Sequence, residues 1–152
     1  MKINENGLNL IKSFEGLSLS PYHDDIDPPS ICTIGYGTIM YENGEYVKLT
    51  DPDITEQRAV ELLQWEVTDK AKQIDPLLRD DLTGNQFAAL ISFSYNLGVG
   101  SLKQSTLRKK VNINPLDPTI KDEFAKWVYS DGVKVSGLIR RRKAEADLYL
   151  TS

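Results

Sequence analysis

The chain has 152 residues, 40% of them hydrophobic and 26% charged, with a formal net charge of −4. Such a composition supports a sizeable buried core and lacks the basic excess of a nucleic-acid binder. One cysteine, Cys32, excludes an intrachain disulfide, and no stretch approaches the roughly 20 apolar residues of a membrane span.

In chain order, the first residues place Asn, Glu and Gly where a secretory signal carries its apolar core. Synthesis and folding are therefore expected in the cytosol. Leu8, Ile11 and Phe14 form one apolar stripe, predicting a helix from about Glu5 to Glu15 that ends at Gly16. A carboxylate at Glu15 then sits in the last turn, where the helix dipole opposes negative charge, a placement that suits a proton donor.

Leu17 to Tyr22 reads as a short strand and His23 to Ser30 as a loop carrying Asp24, Asp25 and Asp27. Ile31 to Tyr36 is β-branched and strand-like. Gly35 and Gly37 mark a close approach by another backbone or a ligand. Asn43-Gly44 between apolar pairs predicts a type I′ hairpin, so residues 17 to 50 form a small antiparallel sheet.

The remainder reads as helical. Thr55 caps a helix to about Asp75 with Ala59, Leu62, Leu63 and Val67 inward, and Pro76 breaks it. Thr83 and Gln86 form a capping box opening the apolar segment Phe87 to Leu97, which Gly98 closes. A further helix is expected from Ser101 to Val111. Another begins at Asp117-Pro118, carries Phe124, Trp127 and Val128, and ends at Gly132. Val133-Lys134-Val135 then crosses to a last helix, Ser136 to Leu150. The total is one N-terminal helix, a small sheet and about five helices.

Three chemistries are open to these residues. A Ser-His or Cys-His nucleophile finds only His23 and Cys32, without the flanking glycine motifs. A calcium loop starting at Asp25 fails, because Pro29 and Ser30 stand where a ligand and a glycine belong. The third is a carboxylate pair, Glu15 with Asp24, Asp25 or Asp27: two carboxyls in a cleft could protonate a leaving oxygen and position a water or ion, although such acidic pairs are common by spacing alone.

Phe14-Glu15-Gly16, an acidic residue soon after it and Thr33-Ile34-Gly35-Tyr36-Gly37 together resemble the start of the T4-type phage lysozymes, glycoside hydrolase family 24. Gln86 to Gly98, Ser105-Thr106-Leu107, Phe124-x-x-Trp127 and Gly137-Leu138-x-x-Arg141-Arg142-x-x-Glu145 resemble that family's later helices in the same order. The resemblance implies an α+β, lysozyme-like fold in one domain over 1–152. A small antiparallel β lobe (about 15–55) and a larger helical lobe (1–14 and 56–152) would have the cleft between them.

It further implies an endolysin muramidase that hydrolyses the β-1,4 bond between N-acetylmuramic acid and N-acetylglucosamine in bacterial peptidoglycan, without metal or cofactor. Glu15 matches the general acid, Asp24 the second carboxylate and Thr33 the residue that holds the attacking water, which predicts inversion. Tyr36 and Asn96 match substrate-binding positions. Eight residues separate Asp24 from Thr33 where the family has five. Asp27 keeps that spacing, Asp24 keeps its spacing from Glu15, and Asp25 lies between them. Thr38 stands where many members have His. In the last helix one arginine, Arg141, is expected to turn inward towards Glu15 or the acidic loop, and its basic neighbours outward.

The implied partner is the glycan strand, with no nucleic acid and no stable membrane insertion. A monomer would wait in the host cytoplasm, leave through a separate membrane pore and act on the cell wall from the periplasm. A non-catalytic peptidoglycan-binding module and a lytic transglycosylase are the alternatives.

Overall fold

A computed structural model describes residues 1–23 and 31–151. The described chain is mainly helical with two small antiparallel strand pairs, an α+β fold. It forms two compact units, Lys12–Glu66 and Met1–Ile11 with Val67–Ser152. Among the described residues no helix is long and apolar enough to cross a membrane.

The smaller unit starts in the last turn of α1 (Glu5–Glu15) and holds β1 (Ser18–His23) and β2 (Cys32–Gly35). These strands pair antiparallel, with Tyr22 opposite Thr33 and His23 opposite Cys32. All four residues of β2 are buried. Cys32, Ile34 and Val47 make the core, with Tyr41 and Ile54 packed on it. Beyond β2 the pairing shrinks to single bridges, Ile34 with Thr38 and Met40 with Tyr46.

The turn at Asn43-Gly44 is not type I′. Gly44 has φ +87°, but Asn43 is not at positive φ. Gly44 N–H donates to Tyr41 O at 3.0 Å and Tyr41 N–H to Glu45 O at 2.9 Å, giving a three-residue loop with its glycine in the left-handed region. The Asn43 side chain accepts from Glu45 N–H at 2.9 Å and stabilises this longer turn.

Helix α2 (Glu56–Ile74) begins after Thr55, whose hydroxyl accepts from Arg58 N–H at 3.1 Å. Two hydrogen bonds from Arg58, at 2.6 and 2.8 Å, hold the Glu42 carboxyl below its usual range. A depressed carboxylate contributes stability above its unfolded pKa of about 4.3, and that stability is lost as pH falls through the folded value. Both side chains are about one-third exposed, so solvent keeps the effect small. Glu42→Gln is therefore expected to flatten slightly the fall in melting temperature on acidification below about pH 5. Parallel pH curves for variant and wild type would show that this pair contributes nothing.

The larger unit is built on α3 (Gly84–Leu97). Thr83 and Gln86 form the complete capping box, and every residue from Asn85 to Ser94 is buried. Gly7 of α1 leaves no room for a side chain, since a Cβ there would lie 2.7 Å from the Ala88 Cβ. Phe93 meets Phe124 and Trp127 edge-on at 6.0 and 5.4 Å between centroids, and Tyr149 tilts against Phe124.

Three expected boundaries move. The helix expected over Ser101–Val111 is two helices, α4 (Val99–Gln104) and α5 (Thr106–Ile113). Ser105 breaks it by capping α5, its hydroxyl accepting from Arg108 N–H. Helix α6 starts at Ile120 and ends at Ala125, because Asp117 spends its carboxylate on the Thr119 N–H and hydroxyl. Trp127 and Val128 thus lie beyond it. The segment read as a crossing is a hairpin, β3 (Tyr129–Ser130) and β4 (Val133–Lys134), turning on Asp131-Gly132 with both residues at positive φ. Among the described residues six α-helices, rather than about five, follow the first sheet once α7 (Ser136–Leu150) is included.

Candidate functional site

Of the expected site residues, Asp24 lies outside the described residues, as do its alternatives Asp25 and Asp27. The others are placed unit by unit.

In the smaller unit, Glu15 is the last residue of α1. The turn after β2 is pinned by paired bonds between Ile34 and Thr38, each 2.9 Å. Within that turn Gly37 has φ +79°, and the Glu15 carboxyl fills the space a side chain there would take. A Cβ at Gly37 would lie 2.7 Å from Glu15 Oε2 and 3.3 Å from Cδ. The helix end and the glycine-rich turn therefore meet at the carboxyl that the sequence singled out.

Thr33 sits on β2 and is 7% exposed. Its neighbour Tyr36 is also buried, with Lys12 Nζ 5.8 Å from the ring centroid. That ring offers little surface for sugar stacking. Thr38 is fully buried, and its hydroxyl has no hydrogen-bond partner among the described residues.

Cys32 and His23 face each other in the ladder but form no nucleophile pair. Burial pushes the Cys32 thiol up, away from the reactive thiolate. The His23 ring is exposed and its Nδ1 lies 3.2 Å from Ile31 O. No group of three or more His, Cys, Asp or Glu among the described residues could hold a metal ion.

In the larger unit, Asn96 is half-buried at the end of α3. Its Oδ1 accepts from Arg142 Nη2 at 2.7 Å. Arginine only donates, so this contact fixes which end of the amide is the oxygen and occupies one of its two lone pairs.

The inward turn of α7 is larger than expected. Arg141 and Arg142 are both buried, not Arg141 alone. Glu145, with no exposed surface, lies 2.8 Å from Arg142 Nε and 3.4 Å from Arg141 Nε, and accepts from Ser92 Oγ at 2.5 Å. Burial pushes the Glu145 carboxyl up, against the pull of both guanidinium charges. Arg142 also stacks over Phe93 at 5.3 Å. Its burial followed from two partners on another helix, which no pattern within Arg140-Arg141-Arg142-Lys143 discloses. A cavity of about 480 Å³ lies between α6 and α7, lined by Lys121, Val128, Ile139, Arg142 and Ala146 among others. None of Glu15, Thr33, Tyr36 or Asn96 lines it.

Residues 12–145 match the family model described as phage lysozyme. An endolysin of Bacillus phage B103 is 40% identical over 153 residues, an alignment covering 99% of this chain and 55% of that relative. The chain thus spans about half the length of the Bacillus phage relatives it matches. Among solved structures, an endolysin from Escherichia coli O157:H7 phage FAHEc1 superposes with TM-score 0.88 at 35% identity, over 99% of this chain and 94% of that one. The muramidase domain of SpmX from Asticaccaulis excentricus gives TM-score 0.83 at 30% identity, over 99% of both.

Proposed function

The chain belongs to the phage lysozyme family, and from that premise we propose that it is an endolysin muramidase working as one catalytic domain. It hydrolyses the β-1,4 bond from N-acetylmuramic acid to N-acetylglucosamine in peptidoglycan. The observation that supports this most is the Glu15 carboxyl, held at the end of α1 against the Gly37 turn of the Thr33–Gly37 motif.

In this reading Glu15 protonates the departing glycosidic oxygen. A loop aspartate, Asp24 first among the three, orients a water on the opposite face of the sugar and offsets positive charge on the ring. Thr33 helps hold that water, and the product inverts. Asn96 presents its amide to the glycan, one lone pair of its oxygen being taken by Arg142. No cofactor takes part. The protein acts as a monomer, stays in the host cytoplasm until a separate pore releases it, and lyses the host from the wall side.

Clearing of a purified peptidoglycan suspension tests the assignment. Wild type should clear it, and one of Asp24→Asn, Asp25→Asn and Asp27→Asn should fail while staying folded. Asp24→Asn is expected to be that variant. Binding without clearing, across pH 4 to about 8, would replace the enzyme with a glycan-binding module.

A further inference from the structure

We propose that Gly37 is a positioning residue for the proton donor: hydrogen in place of a side chain there lets the Glu15 carboxyl occupy its working position. This inference rests on the reading of Glu15 as the general acid.

The geometry is specific to this glycine. A Cβ at Gly37 would overlap Glu15 Oε2 at 2.7 Å and crowd Cδ at 3.3 Å and Cγ at 3.7 Å. The end of the Glu15 side chain therefore occupies the space that a side chain at residue 37 would need. That backbone cannot retreat easily, because the two 2.9 Å bonds between Ile34 and Thr38 close the turn on either side. Nor can Glu15 slide along its helix, whose final turn is fixed by Gly16 N–H donating to Lys12 O at 3.1 Å. A methyl group at residue 37 would turn the carboxyl away from its present orientation. Displacing a reacting group by about 1 Å can cost on the order of a hundredfold in rate.

Gly44 supplies the control. It lies in the same unit at φ +87°, close to the +79° of Gly37, yet a Cβ there meets nothing within 4 Å. Gly37→Ala and Gly44→Ala thus impose a similar left-handed backbone strain, and only the first obstructs Glu15.

The experiment compares melting temperature, kcat, KM and the pH profile of kcat/KM on soluble peptidoglycan fragments for these two variants, wild type and Glu15→Gln. The expected result is a similar loss of melting temperature in both glycine variants. Gly37→Ala alone should lose at least about tenfold in kcat with little change in KM, and its pH profile of kcat/KM should differ from that of Gly44→Ala. If Gly37→Ala does not fold, Gly37→Asn against Gly44→Asn replaces the pair, because Asn tolerates positive φ while still carrying a Cβ. Equal kcat and equal pH profiles in the two glycine variants, with Glu15→Gln inactive, would overturn this inference alone. Full activity in Glu15→Gln would overturn the reading of Glu15 beneath it.

Discussion

Glu15→Gln is expected to lower kcat by about 10²–10⁴, the range general acid catalysis contributes. The amide has nearly the volume of the carboxyl, so it fits the same space beside Gly37, where 2.7 Å to a hypothetical Cβ leaves nothing to spare. Its melting temperature should stay within a few degrees of wild type, and glycan binding should persist. What disappears is the proton delivered to the leaving oxygen. Unchanged activity in the folded variant would remove Glu15 from the mechanism.

Glu145→Ala is expected to destabilise the protein by about 3–5 kcal/mol, the cost of breaking a buried ion pair by removing one partner. Two guanidiniums, Arg141 and Arg142, converge on this carboxylate, and none of the three has more than 4% of its surface exposed. Without Glu145 both positive charges remain buried beside Phe93 and Ser92, with Asn96 Oδ1 the acceptor left to Arg142. For a chain of this length the loss corresponds to a fall in melting temperature on the order of 10 °C. Ser92→Ala removes the 2.5 Å hydroxyl bond to Glu145 and the longer 3.5 Å one from Arg141 Nη2, leaves the charges in place, and should cost about 1.5–3 kcal/mol. Differential scanning calorimetry of the two variants separates the charge from the hydrogen bond. A Glu145→Ala protein that melts like wild type would show that the cluster is energetically idle.

The sequence disclosed those parts of the fold whose causes are local. The apolar stripe of α1 and its stop at Gly16, the Thr83–Gln86 capping box and the buried run of α3 are each decided within a few neighbouring residues. The errors arose where short polar side chains chose between local alternatives. Ser105 caps a new helix instead of continuing one, Asp117 binds Thr119 instead of capping at once, and Asn43 bonds to Glu45 and lengthens its turn. At Asp131-Gly132 the hairpin signal was present, but Val133-Lys134-Val135 read equally well as a crossing.

The site divides in the same way. Glu15 and the Thr33–Gly37 motif were singled out through their resemblance to a family's ordered motifs, since Glu15 at a helix end is by itself an ordinary surface residue. That Gly37 receives the acid itself, and that Arg142 rather than a solvent-facing partner engages Asn96, depends on contacts between segments far apart in the chain. Periodicity and spacing report which face of an element is inward. They do not report which residue of another element waits there.

The most direct measurement is the chemical identity of the new ends released from purified peptidoglycan, read by mass spectrometry after borohydride reduction. Hydrolysis by Glu15 and a carboxylate-held water predicts reducing N-acetylmuramic acid ends, formed by wild type and lost in Glu15→Gln. Products ending in 1,6-anhydro-N-acetylmuramic acid would contradict the account, because they require the departing glycan to be displaced without water.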